Sequence, residues 1–333
     1  MSKYRPVYPF IFSVLAAAVY GLTIRAVYWL GSIFMETDTL IGVLGVGFLF
    51  GVPLVIGLLT VYIKNKRNFV FAIFAPWMAC IIFSGLAALL SWEAWGCVIM
   101  ATPIFLVMSS IGGIVMAAFI SEEPEGSKPG MTTMGIVLMI PLLVTPLESL
   151  VPYTDSIRVV HTQIEVEASP EVVWQQITRV APIATDEHRF SYFHWVGLPR
   201  PMYATLTHDG VGGLRRGQWE NGLAFTEEII DWERHRSYRM RMSPDVENVL
   251  PSTLPLHQIG GRYFDILEGH YEIEPLDNNR VMLHFTSTYR LTTRFNTYGG
   301  LWTDFFMTDI QAYILGIMKT RAEQEMLRYA STN

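Results

Sequence analysis

Five long apolar runs, at approximately 8–30, 40–63, 69–91, 95–120 and 131–151, occupy the first 150 residues and leave only short breaks between them. A helix needs about 20 apolar residues to cross a hydrocarbon core about 30 Å thick. Lipid also demands that every backbone polar group be satisfied within the chain, which a helix does locally. This half is therefore expected to be an α-helical membrane bundle of about five transmembrane helices, residues 1–152, followed by a separate domain, 153–333.

The first run follows MSKYR and includes Ala16, Ala17 and Ala18, features shared with a cleaved signal peptide. It continues to Leu30, beyond the 7–15 apolar residues of a signal h-region, so it reads as an uncleaved span. Lys3 and Arg5 precede the first run, Lys64, Lys66 and Arg67 follow the second, and Lys128 lies between the fourth and fifth. The loops METDT and SWEAW carry no positive charge. Cytoplasmic loops concentrate Lys and Arg, so the N-terminus is expected in the cytoplasm and residues 153–333 outside it, at the inner or plasma membrane.

Arg25 and Glu148 fall inside or at the edge of spans. A charge at a helix centre costs about 2.5–3.5 kcal/mol on insertion scales, so the two either pair at similar depth or snorkel to the interface. Gly47 and Gly51, and Ser109, Gly113 and Ala117, repeat small residues every fourth position, the spacing that lets membrane helices approach closely. No run of internal charges marks a pump or channel.

Only seven basic and seven acidic side chains precede Tyr153, so most of the 24 Lys and Arg, most of the 30 Asp and Glu and all eight histidines follow it. The second half has an acidic surplus and a single lysine, Lys319, which argues against nucleic acid as a partner. Cys80 and Cys97 both sit in apolar runs and form no metal-type or disulfide pattern, so no cofactor or metal is implied.

IRVVHTQIEVEA, from 157, alternates as a strand and ends at ASPEVVWQQI, where Ser169 suits an N-cap and Pro170 the first helical position. A short helical or irregular piece is expected at 181–190. Later strands alternate: Tyr238, Met240 and Met242 oppose Arg239 and Arg241. Tyr263, Leu267, Tyr271 and Ile273 oppose Glu268, His270, Glu272 and Glu274, and Val281, Leu283, Phe285, Tyr289 and Leu291 share one face. DNN at 277–279 is a turn. From Gly299, Trp302, Phe306, Ile310, Tyr313, Ile314 and Ile317 recur at helical steps, predicting an amphipathic helix of about 28 residues with a stripe suited to a loosely filled interior.

VEASPEVVWQQI, GVGGLRRGQWENGLAFTEEIIDWERHRSYRMRM and the terminal helix together resemble the START-like superfamily, also called SRPBCC or helix-grip, over about 157–328. The resemblance implies an α+β fold, a curved antiparallel sheet wrapped on a long C-terminal helix. It also implies a deep cavity between sheet and helix, which members use to bind or transfer lipids, cyclise polyketides or present hydrophobic ligands. It carries over no catalytic residue. In a layout of that kind the residues nearest the cavity are Trp219, Phe225, Tyr263, Asp265, Tyr271, Phe285, Tyr289, Phe306 and Tyr313.

Asp265 lies between Tyr263 and Leu267, so it either points into the cavity or pairs with an arginine such as Arg262 or Arg290. One of Glu227 and Glu228 points inward, because adjacent strand residues face opposite ways. His188 and His194, and His257 and His270, have no metal-helix spacing and read as loop or surface histidines. GVGGLRRG lacks the Lys-Ser/Thr of a phosphate loop.

About six residues separate the last span from the first strand, a tether of roughly 20 Å, so the domain rides beside the bilayer. The expected function is binding, transfer or sensing of a lipid or other hydrophobic small molecule at the outer membrane face, more a binding protein than an enzyme. A cyclase or hydrolase of a membrane-derived substrate, or an accessory subunit for another membrane protein, are the alternatives.

Overall fold

A computed structural model describes residues 7–34, 45–65, 68–120, 129–148, 150, 152–250 and 256–332. Lys3, Arg5, Lys66, Arg67, Lys128 and the METDT loop lie outside the described residues. The chain divides into two compact units, Met1–Pro152 and Tyr153–Asn333.

The first unit consists of α1 (Val7–Phe34), a π-helical turn (Gly47–Gly51) leading into α2 (Val52–Lys64), α3 (Phe69–Leu89), α4 (Trp95–Phe119) and α5 (Met131–Glu148). Five stretches here, one in each helix with the π turn joined to α2, are long and apolar enough to cross a membrane. Phe12, Val70, Ile81, Phe119 and Ile136 point outward from them, as a bilayer rather than water would favour. Close helix approach depends on small residues. A Cβ on Gly57 would lie 2.0 Å from the Ser109 carbonyl oxygen, and one on Gly113 2.0 Å from that of Ala72, so α4 meets α2 and α3 backbone to backbone.

Arg25 and Glu148 do not pair with one another, nor do they reach outward. Both are 5% exposed. Arg25 Nε donates to Glu93 Oε1 at 2.5 Å and its Nη2 to the Trp92 carbonyl at 2.9 Å, both in the turn between α3 and α4. Burial pushes the Glu93 carboxyl up, and the charge of Arg25 pulls it back. Glu148 instead accepts the Gly47 backbone N–H, where the π turn begins. Hydropathy put both charges in or at the edge of apolar runs, while the partner of Arg25 came from a loop that carries no positive charge.

The second unit is the helix-grip arrangement. Its strands are β1 (Thr154–Val166), β2 (Pro201–Leu206), β3 (Leu214–Trp219), β4 (Ala224–Glu233), β5 (Ser237–Asp245), β6 (Phe264–Leu276) and β7 (Arg280–Thr293). They form one antiparallel sheet in the order β1-β7-β6-β5-β4-β3-β2. Between β1 and β2 lie α6 (Pro170–Thr178) and α7 (Tyr192–Trp195), and the chain ends in α8 (Asn296–Thr332). Ser169 takes the N-cap position of α6 without a side-chain cap bond. Trp174 of α6 points inward, edge-on to Trp232 at 4.8 Å and Tyr238 at 5.7 Å. Asn278 and Asn279 both take left-handed φ, 62° and 58°, as a tight β6–β7 turn requires.

α8 has 37 residues, longer than the apolar stripe alone indicates. It begins at Asn296, whose Oδ1 accepts the Thr293 N–H at 2.7 Å while its Nδ2 donates to the Thr154 carbonyl at 2.6 Å. Gly299 and Gly300 stay within the helix, and a Cβ on Gly300 would meet Arg158 Cζ at 2.5 Å. From there α8 runs beside β1 along a polar ladder. Arg158 pairs with Asp304, Thr162 Oγ1 donates to Gln311 Oε1 at 2.7 Å, Lys319 donates to the Glu165 carbonyl at 2.7 Å, and Glu323 accepts the Glu167 N–H at 3.1 Å. Gln311 is 1% exposed, and its amide also reaches Ser287 Oγ at 2.9 Å. The buried polar group is thus fully engaged.

Tyr289 donates to the same Asp304 at 2.5 Å. The Arg158 guanidinium holds the Asp304 carboxyl below its ordinary 3.8 against an upward push from burial, and the Tyr289 hydroxyl adds a lesser lowering. A lowered carboxylate pKa adds stability above the ordinary value that is lost as pH falls through the folded-state value. Asp304→Asn should therefore cost about 1 kcal/mol near neutrality, discounted for partial exposure, or about 2–4 °C in Tm for a unit of this size. Melting curves of the full chain in detergent should show that gap closing as pH drops below 3.8.

Candidate functional site

Period-2 alternation along β3 sends Arg215, Gly217 and Trp219 to the concave face of the sheet, and along β4 it sends Phe225, Glu227 and Ile229 there. Arg215 and Glu227 are direct cross-strand partners. Arg215 Nη1 donates to Glu227 Oε2, and its Nε to the Thr178 carbonyl at 3.3 Å. They are 5% and 4% exposed. Gly217 makes room for this pair, since a Cβ there would lie 2.8 Å from Glu227 Oε1.

The pair forms part of the wall of a cavity of about 80 Å³ between the sheet and α8. The sheet contributes Trp219, Met240, Met242, Tyr271 and Phe285, α8 contributes Ile314, Ile317 and Met318, and Val180 and Ile183 lie on the chain after α6. Tyr271 and Phe285 stack in parallel with centroids 4.1 Å apart. Apart from Arg215, Glu227 and Gln218, the side chains in this wall are apolar or aromatic. Pockets for drug-sized ligands run about 300–1,000 Å³, so this one accepts a small group unless its side chains move. Three of those side chains are methionines, whose unbranched thioethers repack readily. The interior is therefore better filled than the terminal stripe suggests.

Burial drives the Glu227 carboxyl above its ordinary value, and the charge of Arg215 and its hydrogen bond oppose that shift. For Arg215 burial is the largest influence and works against the charged form, but the charge of Glu227, together with smaller contributions from Tyr238, Tyr271 and the Glu227 hydrogen bond, exceeds it and the guanidinium stays charged. Burial likewise raises the phenols of Tyr238 and Tyr271, with Tyr238 donating to the Ile177 carbonyl at 2.7 Å. The site is a buried ion pair beside aromatic rings.

Of the residues singled out from sequence, Trp219, Tyr271 and Phe285 line the cavity. Phe225 is buried behind Trp219, centroids 5.9 Å apart. Tyr313 packs with Ile310 and Ile317, and two histidines converge on it: His188 Nδ1 lies 2.5 Å from its hydroxyl, and His194 sits edge-on at 4.5 Å. Burial pushes His194 down, favouring its neutral form. Tyr289 and Phe306 belong to the other end of the interior, Tyr289 with Val160, Leu291 and Met307, and Phe306 with Trp302 and Phe305.

Tyr263 and Asp265 lie away from the cavity. A β-bulge between Ile266 and Glu268 inverts the alternation, so Phe264 and Ile266 face the core before it, and Tyr271 and Ile273 after it. Tyr263 packs on Tyr153 at 5.9 Å. Asp265 is the register partner of Arg290 and pairs with it at 3.8 Å. Of the two readings of Asp265, cavity-facing or paired with an arginine, the geometry has the pair with Arg290. Glu227 is the inward member of its own dyad, whereas Glu228 pairs with Arg241 at 3.0 Å on the exposed face. Arg215 was missed, although counting back in twos from Trp219 leads to it.

Among the described residues no three His, Cys, Asp or Glu side chains are grouped to hold a metal ion. No family model and no curated protein matches the chain. Solved structures similar to it include a START superfamily protein from Mycobacterium smegmatis, 12% identical over 50% of this chain and 98% of that one, TM-score 0.34. Thalictrum flavum norcoclaurine synthase, as a point mutant with a transition state analogue, is 14% identical over 52% and 98%, TM-score 0.32. The Zhui aromatase/cyclase from Streptomyces sp. R1128 is 14% identical over 51% and 96%, TM-score 0.31.

Removing one partner of a buried pair strands the other charge, at about 3–5 kcal/mol, whereas replacing both by apolar residues is about neutral or stabilising. Glu227→Leu should therefore destabilise the full chain strongly in chemical denaturation, and Arg215→Met with Glu227→Leu should recover most of that loss. Equal losses in single and double variants would show that the cost is not that of a stranded charge.

Proposed function

We propose that the C-terminal unit binds a hydrophobic small molecule, or the end of a lipid, in this cavity beside the bilayer that α1–α5 cross. The observation that carries the reading is a fully buried cross-strand ion pair lining an otherwise apolar cavity. Such a pair is a poor device for stability, since apolar residues of similar size do as well or better. It is a good device for receiving a hydroxyl, carbonyl or carboxylate from a ligand whose remainder is apolar. Trp219, Tyr271 and Phe285 would hold the apolar part, with Phe225 and Tyr313 supporting them.

Glu227 is engaged by Arg215, which favours binding over acid–base turnover. A cavity tethered beside a membrane gains effective concentration for molecules dissolved there, without a new contact. The lysine and arginine pattern supports a non-cytoplasmic position for the unit. A reporter active only outside the cytoplasm, fused after Asn333, should be active; silence, with activity of a cytoplasmic reporter, would reverse that sidedness.

Photo-crosslinking of the full chain in vesicles containing a diazirine-bearing fatty-acyl lipid tests the binding. Adducts should map to peptides carrying Trp219, Met240 and Met318 as well as to the spans. Adducts confined to α1–α5 would contradict the reading.

A further inference from the structure

The end of the soluble unit at which the chain arrives from α5 carries a surface the cavity does not use. Thr154 lies six positions after Glu148, so extended chain keeps it within about 20 Å of the last span. Asn296, the first residue of α8, donates to the Thr154 carbonyl at 2.6 Å. Phe305 is nine positions further along α8, about 14 Å at 1.5 Å per residue. Around it is a chain of rings: Tyr192 lies 5.5 Å from Phe305 and Phe190 5.0 Å from Tyr192, all three open to solvent, and the half-buried Trp302 lies 6.4 Å from Phe305. Phe190 is 71% exposed, Leu301 64%, Trp195 63%, Tyr192 49% and Phe305 43%. Isolated exposed apolar residues are ordinary, but rings linked to one another into a patch mark an interaction surface.

We infer that this aromatic edge seats in the headgroup region of the bilayer, inserting Phe190, Tyr192, Trp195, Leu301 and Phe305. Aromatic side chains concentrate at membrane–water interfaces, where a ring can be half in hydrocarbon and half wet. The partner is a zwitterionic lipid surface, because the acidic surplus of this unit opposes docking by bulk charge. Its placement also bears on the cavity. Phe193, within α7, lies 6.4 Å from Trp219 of the cavity wall, so the segment that meets the lipid also touches that wall. The inference rests on α1–α5 spanning a bilayer and not on the cavity being occupied.

The full chain, with Cys80 and Cys97 replaced by alanine, is labelled with a bimane fluorophore at Phe190→Cys and separately at Gln163→Cys. Gln163 is exposed on the outer sheet face, nine positions along β1 from Thr154, about 30 Å. In phosphatidylcholine vesicles containing a headgroup-proximal doxyl lipid, the label at 190 should be blue-shifted and quenched, and that at 163 neither. Raising the salt concentration should leave both signals unchanged. A label at 190 that stays water-like overturns the inference, as does quenching equal at both sites or one that requires anionic lipid and collapses with salt. Energy transfer between copies at 190 without lipid quenching would also overturn it, making the edge a contact with a second copy. The cavity reading stands or falls on crosslinks to Trp219, Met240 and Met318, so the two failures are distinguishable.

Discussion

A seven-stranded sheet with one apolar face must have that face covered, and among the described elements α8 is the one long enough to do it. The match is metric. From Asn296 to Glu323 a helix rises about 40 Å, and from Thr154 to Glu167 a strand extends about 43 Å. The polar contacts between them fall in the same order along both elements, from Asn296 with Thr154 to Glu323 with Glu167. Apolar packing alone would let a helix slide or roll on a sheet. Asp304 on Arg158 and Tyr289, and Gln311 on Thr162 and Ser287, fix its register.

With α8 held along β1, the far strands curve beneath its second half without filling the space, and the cavity is what remains. The chain then places a salt bridge where hydrophobic side chains would pack at no loss of stability. Gly217, opposite Phe225 and beneath the Glu227 carboxylate, keeps that space open for charge rather than for a side chain. Stability explains the Gln311 knot but not the Arg215–Glu227 pair, and this contrast is what turns a feature of packing into a candidate site. The flexible methionines around it supply adaptability, and the stacked Tyr271 and Phe285 supply a fixed flat wall.

Much of this was legible in the sequence because the governing periods are short. The five apolar helices, the DNN turn and the inward faces of β5 and β7 all follow from hydrophobic runs, turn residues and alternation by two. What failed did so for local physical reasons. One bulged residue in β6 moved Asp265 to the outer face, and a bulge leaves no reliable mark in an alternation already mixed with charges. Arg25 found its partner in Glu93, a loop residue whose depth hydropathy does not report. His188 and His194 meet at Tyr313 only because α7 folds back on α8, a contact between residues more than a hundred positions apart. The volume of the cavity depends on how three methionines pack, which composition cannot give.

The central claim is that the cavity receives a ligand and that Arg215 and Glu227 recognise part of it. Native mass spectrometry of the full chain released from detergent addresses this most directly, comparing the natural protein with the folded Arg215→Met, Glu227→Leu double variant after both are exposed to a total lipid extract. A discrete adduct is expected on the natural chain that the double variant lacks, beyond whatever lipid both retain on their apolar helices. Identical adduct patterns from the two folded proteins would contradict it.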